Sequence, residues 1–261
     1  GALIAVTASI EARRDCGRYA EIVLGLNDAI RGRMVSLVVD DDSAPIVVLA
    51  NYGDDWRTAS LSVLALLLRR IGVRVLVHGA LETYGGLFNC GVLREFGVLP
   101  ATTRSQAQKQ LVDAGIALVP ATLYSPALAA MLSLKNRLGT STPAHCLASL
   151  LMPLRSRRPA LHIVQSPNWL KPGIENENLL RDGRVLLLSG SAGNAAFDGC
   201  RPHIAFRDDA SGGGWRMLFE EELTQAKGNQ VIEASPASGD PRGWSEWTKK
   251  QLSGKLVPPT P

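Results

Sequence analysis

Apolar residues fall into two alternating patterns along this chain. Largely apolar runs such as Pro45-Ile46-Val47-Val48-Leu49-Ala50, Val73-Arg74-Val75-Leu76-Val77 and Ile116-Ala117-Leu118-Val119-Pro120 are short and bounded by turn residues. Runs of this length, rich in β-branched side chains, predict strands buried on both faces. Between them lie longer segments with helical spacing. Ile22, Val23, Leu26 and Ile30 mark a helix over 16–30 behind Asp15, and 58–71 predicts another that ends at Gly72. Thr103-x-x-Gln106 resembles a capping box opening a helix over 104–114, which Gly115 stops. Ser125-Pro126 and Thr142-Pro143 each set a capping hydroxyl before a first-turn proline, predicting helices that reach 138 and 152. Further strands are read over 161–165, 184–188, 202–206 and 215–219, and 243–252 is amphipathic. Buried strands alternating with helices predict an α/β fold: a doubly wound, mostly parallel sheet with helices on both faces. The leading helical stretch, 1–36, is expected to be part of a second, helical subdomain, with 37–261 forming the α/β domain.

Composition narrows the partners. With 261 residues, 46% apolar and 20% charged, wholesale disorder is excluded. No apolar run approaches about 18 residues, so no membrane span is expected. Gly1-Ala2-Leu3-Ile4-Ala5-Val6 has no basic stretch before it, so no signal peptide is expected, and the first element is expected to lack its beginning. Cys16, Cys90, Cys146 and Cys200 are far apart with no C-x-x-C pair, the pattern of reduced thiols in a cytoplasmic protein.

The net charge of +4 is unevenly spread. Between Trp56 and Gly173 thirteen Lys or Arg face only Glu82, Glu95 and Asp113, and no acidic residue occurs from Ala114 through Ile174. A long field of one sign favours polyanions. The candidate nucleic-acid-binding residues are Arg57, Arg104, Lys109, Lys135, Arg137, Arg155, Arg157 and Arg158. Each cation set against a phosphate releases condensed counterions, giving affinity with little sequence reading. The competing reading makes Lys135 and Arg137 complements to a helix C-terminus and Arg155 to Arg158 a solvated cluster. Tyr84, Tyr124 and Trp169 are candidates to stack bases or, equally, to pack. No helix-turn-helix, zinc-finger or RNA-recognition signature is present, so no preferred sequence is expected. His78 and His145 are candidate phosphate contacts or structural histidines. His162 and His203 have no metal-ligand spacing, and no nucleophile motif is present.

The order of segments resembles the glycosyltransferase family 3 fold, whose best-known member is anthranilate phosphoribosyltransferase. The likeness rests on Pro45 to Leu49 with the loop Asn51-Tyr52-Gly53-Asp54-Asp55, on Val77-His78-Gly79, and on Leu138-Gly139 through Ala144-His145-Cys146-Leu147-Ala148. It is nearest to a divergent branch, the nucleic-acid-binding paralogues, which Gln106-Ala107-Gln108-Lys109 and Cys200-Arg201-Pro202 also resemble. The resemblance implies a homodimer formed through the helical subdomain when that subdomain is complete; both ends of the chain look truncated beside the family.

Family enzymes hold phosphoribosyl pyrophosphate on a Gly-Gly-Asp loop, a Lys-His-Gly-Asn segment and an Asp-Glu pair that binds magnesium. Here the first is Tyr52-Gly53-Asp54, the second Val77-His78-Gly79-Ala80, and no carboxylate stands between Leu188 and Asp198. Stabilising a departing diphosphate is largely electrostatic work by metal and cations. The expectation is therefore a binding protein without cofactor or catalytic residues that does not run the parent reaction. The alternative is a phosphoribosyltransferase acting on an aromatic amine or base with Mg2+ and phosphoribosyl pyrophosphate, its phosphates held by Gly53, Asp54, His78, Gly79 and His145. A third reading is an inactive fragment whose missing helices formed a dimer interface.

Overall fold

A computed structural model describes residues 5, 7–9, 19–52, 60–81, 84–139, 142–165, 183–189, 203–208, 215–220 and 240–253. The central sheet contains β2 (Ile46–Asn51), β3 (Arg74–Gly79), β4 (Ile116–Pro120), β6 (Leu161–Gln165), β7 (Arg184–Ser189), β8 (His203–Asp208) and β9 (Trp215–Glu220). Their order is β4-β3-β2-β6-β7-β8-β9, parallel from β4 to β7 and antiparallel from β7 to β9. Every residue of β2, β3 and β4 is buried, which is why these strands read as largely apolar runs.

Alternate residues of each strand feed two cores. On one face Val47, Leu49, Val75 and Val77 pack with Leu61 and Leu66 of α2 (Ser60–Arg70) and with Leu93 of α3 (Tyr84–Arg94). On the other, Val48, Leu76 and Val119 pack with α1 (Tyr19–Arg31), α5 (Pro126–Ser133) and α7 (Pro143–Leu150), through residues such as Val23, Leu128 and Leu147. The last helix, α8 (Pro241–Leu252), sets Trp244 against Val63 and Val92. At the N-terminal edge Arg74 donates to Asp41 at 2.7 Å and to Ser43 at 3.0 Å, pinning the acidic turn before β2. No helix among the described residues is long and apolar enough to cross a membrane.

Several local readings are corrected. The helix expected over 104–114 is α4 (Arg104–Lys109) followed by one wide π turn, Gln110–Ala114. Thr103 does cap it, accepting from Gln106 N at 3.1 Å, but the Gln106 side chain reaches back to Thr102 and not to the cap itself. The helix read over 125–138 breaks at Leu134 into α5 and α6 (Lys135–Leu138). Helix α3 has no sequence signal because Gly85, Gly86 and Gly91 interrupt its apolar face. Gly91 is explained by packing: a Cβ there would press on Pro241 at 3.0 Å, so glycine lets α8 approach. Also unforeseen is a second sheet of two parallel three-residue strands, β1 (Leu37–Val39) and β5 (Leu154–Ser156), with Val38 opposite Arg155. Strands this short carry no periodic signal.

The end of β3 runs tightly against β2. A Cβ on Gly79 would fall well inside van der Waals contact of the Asn51 carbonyl oxygen. Gly79→Ala is therefore expected to cost about 1–3 kcal/mol by overpacking, read as a lower urea midpoint; an unchanged midpoint would contradict the close approach.

Candidate functional site

Parallel strands in an open α/β sheet present their C-terminal ends to ligands, because the connecting loops diverge there. Asn51 ends β2 and His78-Gly79 ends β3, paired in register as Ala50 with His78 and Asn51 with Gly79. Asn51, Asn89 and Ser62 are fully buried and linked: Ser62 donates to Asn89 Oδ1 at 2.6 Å, and Asn89 Nδ2 donates to Asn51 Oδ1 at 3.0 Å. The Asn51 amide nitrogen has no partner among the described residues.

His78 is completely buried on the face covered by α1 and α7. Its Nδ1 lies 3.2 Å from the Tyr52 hydroxyl and 3.1 Å from that of Tyr124, and the two hydroxyls bond to each other. The arrangement that uses both hydroxyl protons has Nδ1 accepting, which leaves the proton on Nε2. That atom has no partner among the described residues. The His162 ring lies 6.0 Å away, and its Nε2 is likewise unpartnered. Tyr124, a candidate base-stacker in the sequence, is fully buried in this triangle and presents no ring to a base.

Burial is the leading cause of the imidazole shifts. It drives His78 well below its usual value, with the neighbouring His162 adding to the effect. It brings His162 down to about 3, helped by the Arg31 charge. His145 falls to about 4, through burial first and then the nearby Lys135 ammonium. The His145 Nδ1 accepts from the Thr142 backbone N–H at 3.2 Å, so this histidine closes the cap of α7.

The structure sorts the sequence candidates by position. Arg57, Gly53 and Asp54 lie outside the described residues, as does Trp169, and the side chain of Tyr84 is not described. Arg104 and Lys109 are exposed on α4, with Lys109 paired to Asp113 at 2.5 Å. Arg155 is exposed on β5, and exposed Arg157 and Arg158 follow in a bend closed by Ser156 Oγ donating to the Arg158 carbonyl at 2.7 Å. Strand β1 stands between the two groups, because Gln108 of α4 donates to Val38 O at 2.5 Å while Val38 pairs with Arg155. Leu37, Val39 and Leu154 point inward, whereas Val38 and Arg155 point out. Lys135, half-buried on α6, sits beside His145, and Arg137 is exposed one residue before that helix ends.

Sequence reasoning passed over Arg31 and Ser36. Arg31 closes α1 and donates to Asn27 at 3.4 Å, and with Ser36 it lines a cleft that also contains Arg155. The signal available was Arg31-Gly32-Arg33, a basic helix end, hidden because the apolar pattern stops at Ile30. Among the described residues no group of three or more His, Cys, Asp or Glu could hold a metal ion. Asp54, the carboxylate that the alternative reading assigns to the phosphates, lies outside those residues.

An open, mostly parallel sheet flanked by helices, with polar groups gathered at its C-terminal edge, defines a doubly wound α/β fold. The chain is anthranilate phosphoribosyltransferase-like, with the glycosyltransferase family 3 fold. It superposes on anthranilate phosphoribosyltransferase from Thermus thermophilus with TM-score 0.59 and 20% identity, covering 91% of this chain and 69% of that one. The Saccharomyces cerevisiae enzyme in complex with PRPP and Mg gives TM-score 0.59 at 15% identity, covering 97% and 70%. In sequence the chain is 26% identical over 235 residues to the protein YbiB of Escherichia coli (strain K12), spanning 89% of this chain and 71% of that protein. It is 30% identical over 189 residues to anthranilate phosphoribosyltransferase 2 of Ralstonia nicotianae, a match spanning 71% of this chain and 54% of the relative. The chain thus spans about half the length of that curated transferase. No family model matches it.

The buried imidazoles make a pH prediction. In the folded state these rings stay neutral, whereas the unfolded chain protonates them near 6.5. Below about 6.5 the unfolded state binds more protons, so stability is full above that pH and falls as pH drops toward about 4. Each ring steepens the fall by up to about 1.4 kcal/mol per pH unit. Urea unfolding at about pH 7 and about pH 5 checks this; His162→Leu is expected to flatten the difference, and equal midpoints for the parent chain would contradict it.

Proposed function

We propose that this chain is a nucleic-acid-binding protein that uses the transferase fold as a scaffold and holds DNA or RNA through a cationic surface with little sequence preference. The observation that carries the reading is the placement of β1 between α4 and β5. It gathers Arg104 and Lys109 on one side and Arg155, Arg157 and Arg158 on the other. These residues come from two stretches far apart in sequence. Lys109 shares its charge with Asp113, so the arginines contribute most of the field. Contacts of this kind act on phosphates and leave base identity unread. Lys135, Arg137 and Arg57 are further candidates of the same type.

A second reading is phosphoribosyl transfer from phosphoribosyl pyrophosphate to an aromatic amine or base. Two observations favour it: the curated relatives of this chain include proteins named anthranilate phosphoribosyltransferase, and His78 and Gly79 stand at the ligand-facing sheet edge. On that reading Gly53, Asp54 and His145 would serve the phosphates and Mg2+ would accompany them.

Two measurements separate the readings. Affinity for unrelated DNA sequences is expected to fall steeply with added salt. Replacing Arg104, Lys109 and Arg155 together by Gln is expected to reduce the log–log salt slope by about 2–3, equally for every sequence. Arg70→Gln, at the end of α2 on the opposite face of the sheet, is expected to change nothing; an unaltered slope in the triple variant would remove this surface from the interface. Calorimetry with phosphoribosyl pyrophosphate and magnesium is expected to show no saturable heat. Saturable micromolar binding lost in Asp54→Ala would establish the transferase reading in its place.

A further inference from the structure

Where α1 leads into β1 the surface folds inward as a cleft of about 270 Å3, lined by Arg31, Met34, Ser36, Met152, Leu154 and Arg155. Its chemistry is divided. Arg155 is exposed at the rim and Arg31 half-buried within, with the Ser36 hydroxyl as a further donor. Met152 and Leu154, 7% and 5% exposed, form an apolar floor continuous with the main core. No carboxylate is among the lining residues described.

Two guanidiniums and a hydroxyl over a thioether floor match a ligand with one anionic end and one flat, polarizable body. Guanidinium forks suit phosphate oxygens, and methionine sulfur packs favourably on aromatic rings. The volume falls just below the usual range for small-molecule pockets, about 300–1,000 Å3. That is room for one nucleotide-sized group, whereas a base pair within a duplex cannot turn into such a recess without unstacking.

We propose that this cleft seats one unpaired nucleotide of a bound strand, its phosphate on Arg31, Arg155 and Ser36 and its base against Met34, Met152 and Leu154. The inference rests on the nucleic-acid reading above and deepens it, because it makes the protein discriminate single strands from duplex. The exposed cations Arg104 and Lys109 hold either form by charge alone. The cleft adds a contact that only a strand with free bases can make, since base stacking contributes about 1–3 kcal/mol per base.

Ser36→Asp tests this with the whole chain, because Ser36 is only half-buried and the substitution sets a carboxylate among the phosphate donors. Affinities for a short oligo(dT) and for a duplex of the same length are compared in the parent and in Ser36→Asp. The single strand is expected to lose about tenfold or more, with the duplex changed by less than about twofold. An equal loss for both forms, or no loss for either, overturns the seat. Urea unfolding of the variant identifies misfolding; in that case Met152→Leu, which keeps the volume but removes the sulfur, must lower single-strand affinity selectively. A titration with dTMP separates this proposal from the wider one. Saturable binding in the parent and none in Ser36→Asp supports the seat even if long strands do not bind, whereas strand binding without any dTMP binding leaves the surface reading standing and overturns the cleft.

Discussion

Burial of both faces of the central sheet is the constraint on which the remaining structure depends. Strands β2, β3 and β4 expose no residue, so helices must cover each side, and the polar side chains that enter the centre are largely removed from water. Besides the Asn51–Asn89–Ser62 chain, one such line runs beneath α1 and α7. The Asn27–Arg31 contact at the end of α1, the His162–His78 ring pair and the two tyrosine hydroxyls follow one another under the helical layer. Arg31 biases His162 electrostatically and also lines the cleft at the surface, so the buried polar line and the cationic surface share a residue.

The same burial shapes the C-terminal edge of the sheet. In an open α/β protein the strand-end loops ordinarily offer donors to solvent. Here a tyrosine follows β2, and its hydroxyl, with that of Tyr124, occupies the Nδ1 of His78. An imidazole kept neutral by desolvation, its one accepting nitrogen already bonded, is a packing and hydrogen-bonding element in this conformation. The cations gathered around β1 lie elsewhere, on α4, β5 and the end of α1.

How much of this could be read from the residues alone follows from how local each signal is. The strands of the parallel core were legible because complete burial leaves largely apolar runs, and α5 and α7 because Ser125-Pro126 and Thr142-Pro143 are local capping devices. Helix α3 was not legible, since Gly91 answers to Pro241, more than half the chain away. The β1–β5 pair escaped for the same reason: three residues carry no period, and the partner strand lies beyond β2, β3 and β4. Among site residues the arginines after Pro153 were visible as a cluster and Arg104 and Lys109 as candidates, but that β1 would bring the two groups together was not, and Arg31 was hidden behind a helix end. The burial of Tyr124 was invisible because a tyrosine that stacks and a tyrosine that packs look alike until its hydroxyl partner is known.

The pairing of residues 37–39 with 154–156 has a kinetic corollary. Between its two strands run β2, β3 and β4 and the helices α2 through α7, so the contact closes a long loop, and loop-closure entropy must be met before so small a ladder can repay it. The β2–β6 pairing within the main sheet closes a loop of similar length, so the two arginines that flank the cleft are brought together only by long-range closures of the chain. A nascent chain still emerging from synthesis, or a proteolytic fragment cut between those strands, would carry the positive residues without the recess they create together.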